Sequence, residues 1–323
     1  DVAQKLAANA NRLAQVCVML AGETVRLQQL LGAQNIPVAV LKGAGLAQLA
    51  YGSLKLKHSR DIDLLVPADR ALIALQLLER EGYSLVLPAA QLSDAQRRAV
   101  VQYGKEIELA HPVRKTRVEL QWRAAVNPYL LKGIDAKSAT QDVFLSEGAS
   151  IRTFTDEGLF AYLCVHGAYH DWFRLKWLAD LNAVISQNSD ADLIRLYRYA
   201  QTKGAGLCAG QALLLCHQVF ERPLPAELKA ELAGSKKVTR LTAIAFSAMG
   251  ARDVDGDRGF MGVTKAVFRQ FLLGQGWAYF AAQCRIALVG LPDAIRMPLP
   301  APLHFLYPIM RLPLWLGRRS KHR

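Results

Sequence analysis

The sequence predicts an α+β chain: a small mixed sheet with helices, followed by an all-helical unit. Three observations carry this. Short apolar runs rich in Val, Ile and Leu occur at 37–42, 61–66, 82–87, 105–110 and 116–122, most of them bounded by turn residues. Beyond about residue 155 such runs fade, and Ala-, Leu- and Gln-rich stretches with helical spacing take over at 156–186, 190–220, 226–249 and 262–289. The length, 323 residues, suits two domains of about 150 residues each.

In chain order, residues 3–32 read as one helix, because Leu6, Leu13, Val16, Leu20, Val25, Leu27 and Leu31 fall roughly on one face and Gly32 is a natural stop. Pro37 to Lys42 is a strand entering the turn Gly43-Ala-Gly45. Leu46 to Tyr51 forms a helix, and Gly52 to Ser59 a polar, basic loop. Asp61 to Val66 is a strand, after which Pro67 opens a helix that runs to about Glu81. Gly82 to Leu87 is a further strand. Lys105–Ala110 and Thr116–Trp122 flank His-Pro-Val-Arg-Lys as a hairpin. The proline-rich segment 292–313 reads as extended or irregular. The boundaries that follow are 1–150 for the sheet-bearing domain with its N-terminal helix, 151–290 for the helical domain, and 291–323 for a proline-rich, basic tail.

Composition excludes several classes. Hydrophobic residues make up 52% and charged residues 21%, which rules out disorder as the main state and fits neither a coiled coil nor a collagen. The five cysteines are odd in number, widely spaced and without a C-x-x-C pair, so no zinc ribbon, redox motif or disulfide scaffold is indicated, and a reducing cytoplasmic compartment is expected. The most apolar stretch, Phe271 to Cys284, is too short and too polar to span a bilayer. The chain opens at Asp1 rather than Met, which leaves the native start open.

The net charge is +13, from 40 Lys+Arg against 27 Asp+Glu. Residues 1–150 carry 18 basic and 14 acidic side chains, and residues 151–323 carry 22 and 13. Such a surplus attracts polyanions, nucleotides or RNA among them. The 305–323 tail joins aromatics to a basic end, a pattern that suits peripheral membrane contact or plain solvation.

The chemistry gathers in the first half. Asp61 and Asp63 lie two apart in an apolar strand, so both carboxylates face one side, roughly 6–7 Å apart. Two like charges on one face call for a cation, and a hard divalent ion such as Mg²⁺ takes carboxylate and phosphate oxygens together. Upstream, the glycines of Leu41-Lys-Gly-Ala-Gly-Leu46 let backbone N–H groups approach phosphate oxygens, the following helix start adds partial positive charge, and Lys42 supplies a full one. A phosphate cradle before a same-face acid pair is a layout for phosphoryl chemistry. Other motifs are weaker. Glu106 and Glu108 form another period-two pair. His166 and His170 sit i, i+4 on one helix face, but Gly167 stands where a zinc protease needs Glu. Asp253-Val-Asp-Gly-Asp257 has its glycine at the fourth position and Thr264 at the twelfth, which makes it an exposed acidic turn rather than a calcium loop. Neither a Walker-type loop nor a G-x-S-x-G elbow occurs.

Lys42-Gly43, Leu46, Tyr51-Gly52, Arg60-Asp-Ile-Asp-Leu-Leu-Val66, Val118-Glu-Leu-Gln-Trp122 and the His166…His170…Trp172…Trp177…Asp180-Leu block together resemble the uncharacterised bacterial nucleotidyltransferase family within the DNA polymerase β-like superfamily. The resemblance covers roughly residues 10–290. It departs at Ala44, where a Gly or Ser is usual, at Arg60, which directly precedes the acid pair, and at Glu119, where the third acid is Asp.

The resemblance implies a nucleotidyltransferase catalytic domain followed by an all-helical domain, with the site between them. It implies Asp61, Asp63 and Glu119 as catalytic residues and ligands of Mg²⁺ or Mn²⁺. Lys42, Gly43, Gly45, Arg60, His166, His170, Arg174 and Lys176 would contact the nucleotide or the acceptor, and Asp180 would orient a neighbour. The reaction implied is transfer of AMP from ATP, or of another NMP from its NTP, to a hydroxyl or phosphate of an acceptor such as a peptide or sugar; nucleic acid is not favoured as a partner. Phosphotransfer (a kinase) on the same fold and a non-catalytic nucleotide- or RNA-binding module stay open as alternatives.

Overall fold

A computed structural model describes residues 2–86, 92–249 and 267–310. The acidic turn at 253–257 and the tail from 311 onward lie outside the described residues.

The sheet has five strands: β1 (Ala39–Val40), β2 (Ile62–Leu65), β3 (Ser84–Leu85), β4 (Glu106–His111) and β5 (Thr116–Gln121), in the order β1-β2-β5-β4-β3. All neighbours are antiparallel except β2 and β5, which run parallel with Asp63 opposite Glu119. Alternation along a strand then sorts the side chains by face. Ile62, Leu64, Val118, Leu120, Ile107 and Leu109 point into one core with α1 (Val2–Gly32), α3 (Ala71–Arg80) and α4 (Asp94–Tyr103). Asp63, Glu119 and Glu106 share the opposite face with Ala39, Leu41 and Leu65. A strand shifted by one residue would bury the acids in the first core, so the apolar pattern fixes which face carries the chemistry.

The helical half closes over that second face. Helices α5 (Asp156–Tyr169), α6 (Leu175–Ile185), α7 (Asp190–Thr202), α8 (Gly206–Phe220), α9 (Ala226–Gly234) and α10 (Lys236–Met249) share one core with Ala39, Leu41, Leu46 and Leu65 of the sheet-bearing part. Every residue of α8 from Leu207 to Cys216 is buried, as expected of a helix apolar on all sides. Four cysteines are buried as small apolar side chains, and all five are free thiols. No helix of the described residues is long and apolar enough to cross a membrane.

The structure differs from the sequence reading in several places. Strands β1 and β3 are shorter than expected, and the helix after Pro67 begins with a 3₁₀ turn at Ala68–Arg70. Helix α4 was not among the expected elements; Ser93 and Gln96 form a reciprocal capping box that starts it. A second hairpin, β6 (Thr140–Ser146) and β7 (Ala149–Phe154), closes the sheet-bearing part. The proline-rich stretch is not irregular throughout: Leu291–Arg296 is helical and Ala301–Leu306 is 3₁₀. Ala294 and Tyr307 pack on Ala99 of α4, which ties this stretch to the first half of the chain.

One close contact shapes the site. After α5 the chain passes through Asp171 and Trp172, both at positive φ (+52° and +53°), and the Trp172 N–H returns to the Gly167 carbonyl at 2.8 Å. The Trp172 indole is fully buried against Gly167, where an added Cβ would collide with the ring. This clasp sets the direction in which Phe173, Arg174 and Lys176 leave toward the site. Gly167→Ala is therefore expected to cost about 1–3 kcal/mol by overpacking, whereas Gly22→Ala, whose new methyl group meets nothing within 4 Å, gains up to about 1 kcal/mol of helix propensity. Urea midpoints of the two variants would check this; equal midpoints would dismiss the clasp.

Candidate active site

A cleft of about 550 Å³ lies between the acid-bearing sheet face and helices α5 and α6. Its floor is made by β2 and β5. Asp63 is almost completely buried (1% exposed). Lys42 reaches it at 2.9 Å. The backbone sets up this pairing: Leu41 N–H donates to the Asp63 carbonyl at 3.1 Å, which places Lys42 one residue beyond. Gly43 then turns with φ +67°, a left-handed conformation that side chains other than glycine rarely adopt. Helix α2 (Gly43–Tyr51) starts there, at the edge of the cleft, with no capping side chain on its first N–H groups.

Burial alone would raise the Asp63 pKa; the Lys42 ammonium, with hydrogen bonds, outweighs it and holds the carboxyl below the usual range. Lys42 is held up in turn: burial opposes its charge, and Asp63, Tyr162 and Glu119 override burial. Glu119 is pushed up to about 8 by burial and then by the adjacent Asp63 carboxylate. Asp61 is raised for the same two reasons in the same order. Gln121, one pleat on from Glu119, donates through Nε2 to Asp63 Oδ1 (3.1 Å) and Glu119 Oε2 (3.3 Å) and so sets their spacing. Three acidic side chains thus crowd around the Lys42 ammonium, with Lys57 and Lys176 acting on Asp61 and Lys105 on Asp63 from farther off.

Aromatic and basic side chains make the opposite wall. His166 lies in a ring cluster with Tyr162, His170 and Trp177, at centroid distances of 6.0, 5.0 and 5.0 Å. Burial, followed by the field of Lys42, keeps its pKa well below the ordinary imidazole value, so it is neutral at physiological pH. Its Nε2 is buried without a protein hydrogen-bond partner. Arg174 stacks over Phe173 (5.1 Å) and Trp177 (5.4 Å).

Of the residues singled out in the sequence, Lys42, Gly43, Arg60, Asp61, Asp63, Glu119, His166, His170, Arg174 and Lys176 all line this cleft. Gly45 does not: it is buried within α2, where an added Cβ would stand 3.4 Å from Ile151 of β7, an ordinary contact. Glu108 is drawn to Arg117 at 3.0 Å. Glu106, which the sequence marked only as half of a period-two pair, also lines the cleft, as do Lys105, Lys57, His58 and Leu163, which were not singled out. Lys57 lies in the basic loop 52–59, which the sequence did mark; no pattern announced Lys105. Asp180 orients neighbours, accepting from Tyr51 Oη at 2.9 Å and pairing with Lys57 at 3.4 Å.

Among the described residues, no three or more His, Cys, Asp or Glu side chains are grouped to hold a metal ion by themselves. The donor chemistry still fits a hard divalent cation, because Asp61, Asp63 and Glu119 offer oxygen donors to one cleft, and burial with mutual repulsion raises Asp61 and Glu119. An incomplete protein cage is what Mg²⁺ commonly meets, since it takes its remaining ligands from water and substrate phosphates.

A parallel-strand acid set thus lies beside a lysine–glycine turn, under a basic and aromatic wall. The family model described as uncharacterised nucleotidyltransferase matches residues 1–221, and the chain belongs to that family. A comparison with curated proteins finds no match.

Two outcomes follow. Lys42→Met strands the Asp63 charge in a dry pocket and is expected to cost about 3–5 kcal/mol of folding stability, part of which Asp63→Asn in the same chain restores; chemical denaturation of the single and double variants measures it, and a Lys42→Met protein as stable as wild type would contradict the pairing. Glu119 has a folded-state pKa raised from 4.5 to about 8, so ionising it costs the fold increasingly as pH rises across that window and by a constant amount above it. In metal-free buffer, Glu119→Gln should therefore match wild type near pH 4.5 and melt higher than it at pH 9. Parallel melting curves across this range would refute the assignment.

Proposed function

We propose that the protein transfers the AMP unit of ATP to a hydroxyl or phosphate oxygen of an acceptor, with Mg²⁺ or Mn²⁺ bound by Asp61, Asp63 and Glu119. The observation that carries the reading is the row of carboxylates on β2 and β5, set against Lys42 at 2.9 Å and facing one cleft with α2's uncapped start. Enzymes of the nucleotidyltransferase class act on nucleoside triphosphates with divalent metal. When bound, such an ion supplies charge neutralisation on the phosphates.

The chain's own residues divide the remaining work. Lys42 and the N–H groups following Gly43 hold phosphate oxygens and fix the α-phosphorus over the acids. Gln121 keeps Asp63 and Glu119 in place. The acceptor oxygen attacks the α-phosphorus, the bond from that phosphorus to the bridging oxygen breaks, and pyrophosphate departs. The acceptor's proton passes to the Glu119 carboxylate, which Gln121 holds beside Asp63. His166, His170 and Trp177 offer flat faces to the base or to an apolar part of the acceptor, and exclude water from that side of the cleft. Most of the acceleration comes from positioning and from charge already in place.

Incubation with ATP labelled at the α or the γ phosphorus tests this. Label should appear on product only from the α position, and both Asp61→Asn and Asp63→Asn should lower the rate by about 10²-fold or more. Transfer of the γ label alone would replace this reading with a kinase, and nucleotide binding without any product in the intact protein would reduce the site to a binding module.

A further inference from the structure

The helix Trp277–Leu288 is turned inside out. Its buried side chains are Tyr279 and Gln283, and polar contacts pin them. Asn127 Nδ2 donates to the Tyr279 carbonyl at 3.3 Å and to Gln283 Oε1 at 3.0 Å, and Gln283 Nε2 donates to Gln270 Oε1 at 3.2 Å. Gly274 completes the seat, because a Cβ there would run into the Tyr279 ring. With the inward face fixed, the 3.6-residue repeat sends Trp277, Phe280, Ala281, Cys284, Arg285 and Leu288 to the other side. Trp277 is 79% exposed and Phe280 45%, and their rings stack at 5.5 Å. Phe271 adds its ring to Phe280 at 5.4 Å. A surface helix normally turns its polar side chains to water and its apolar stripe to the core. Aromatic surface held outward instead marks a place of interaction.

Charge and chemistry narrow the partner. Arg285 is exposed on the outward side, and burial, followed by the Arg285 field, lowers the pKa of Arg123. Two cations thus stand near each other beside the rings. From residue 267 to the end the sequence holds eight Lys and Arg against one acid, Asp293, which is buried. Arg269 is committed to Asp171 at 2.6 Å. The outward residues of the helix include no hydroxyl, amide or carboxylate side chain. Such a face offers aromatic area and positive charge but few of the directional hydrogen bonds that register one protein on another. An anionic bilayer needs no register: its interfacial zone takes up Trp and Phe, and its phosphates attract Arg.

We propose that this face docks on the headgroup zone of an anionic bilayer, with Trp277 and Phe280 inserted among the lipids and Arg285 on their phosphates. A helix of 12 residues is long enough to lie on a bilayer and too short to cross one. None of the six outward residues lines the cleft, so docking and the reaction stand or fall separately.

Sedimentation of the full chain with vesicles, without nucleotide or metal, is the test. Wild type should partition onto phosphatidylcholine vesicles containing phosphatidylglycerol and far less onto phosphatidylcholine alone. The double variant Trp277→Ser, Phe280→Ser should lower partitioning about tenfold or more. Arg285→Gln should lower it about fivefold, on the anionic vesicles alone. Phe144→Ser removes a comparably exposed ring on β6 and should change nothing. Thermal melts confirm folding, and Arg285→Gln keeps the test open if the double variant misfolds. Wild type left in the supernatant, or an equal loss in Phe144→Ser, would overturn the docking face. So would binding that disappears on removing residues 311–323 yet ignores Trp277, Phe280 and Arg285. Self-association abolished by the double variant, with no vesicle binding, would hand the face to a second copy of the chain.

Discussion

The ion pair between Lys42 and Asp63 governs the rest of the site. A carboxylate as buried as Asp63 is tolerated only if a partner and hydrogen bonds offset its desolvation. Lys42 at 2.9 Å and Gln121 at 3.1 Å supply them. Burial, and then the Asp63 carboxylate, make Glu119 and Asp61 hold their protons more tightly than free carboxyls do, and the Lys42 ammonium offsets this only in part. The pair therefore keeps Asp63 ionised, and Asp63 in turn raises its neighbours. It depends on β1 lying antiparallel to β2 and on the left-handed turn at Gly43, so strand register reaches directly into the electrostatics.

The surplus of basic residues in the chain is organised around that acidic floor. Lys57, Arg60, Arg174 and Lys176 stand at the rim while Asp61, Asp63 and Glu119 form the base. An anionic substrate drawn in by the rim meets carboxylates below, and the two can coexist only with counter-cations between them. That alternation of charge favours a substrate which brings its own metal, as a nucleoside triphosphate does, over a simple anion or a resident ion. The helical half holds the rim in place: α8 is buried from Leu207 to Cys216 and α5 packs on it, so the turn at 170–174 projects from a rigid support.

Much of this was legible in the sequence, for identifiable reasons. Period-two spacing placed Asp61 and Asp63 on one face, and the turn residues around Lys42 marked the phosphate side. Glu119 was found by the strand pattern that resembles the family; alternation alone could not separate it from Glu106 and Glu108, because only the parallel pairing of β2 with β5 decides which acid meets Asp63. Helix α4 was overlooked although Ser93 and Gln96 spell a capping box. Hairpin β6–β7 was missed because its alternation is weak, with polar residues at most outward positions. The folding of the proline-rich stretch onto α4 depends on Ala99 and Tyr307, more than two hundred residues apart, and no local signal carries such a contact. Gly45 reads as part of a phosphate loop but does not line the cleft, since spacing does not tell a glycine facing a cleft from one facing Ile151.

A fold optimised for its own stability pairs its buried polar atoms. Among the described residues five buried side-chain atoms lack a partner, and three of them, on His58, Gln121 and His166, belong to the cleft or touch its acids. Each such atom costs about 1–3 kcal/mol relative to a satisfied one. Their concentration at one place, together with carboxylates crowded beyond their neutral preference, shows where stability has been surrendered. Such an arrangement suits the proposed transfer, because donors and charges fixed in place before substrate binds cost no reorganisation at the moment of reaction.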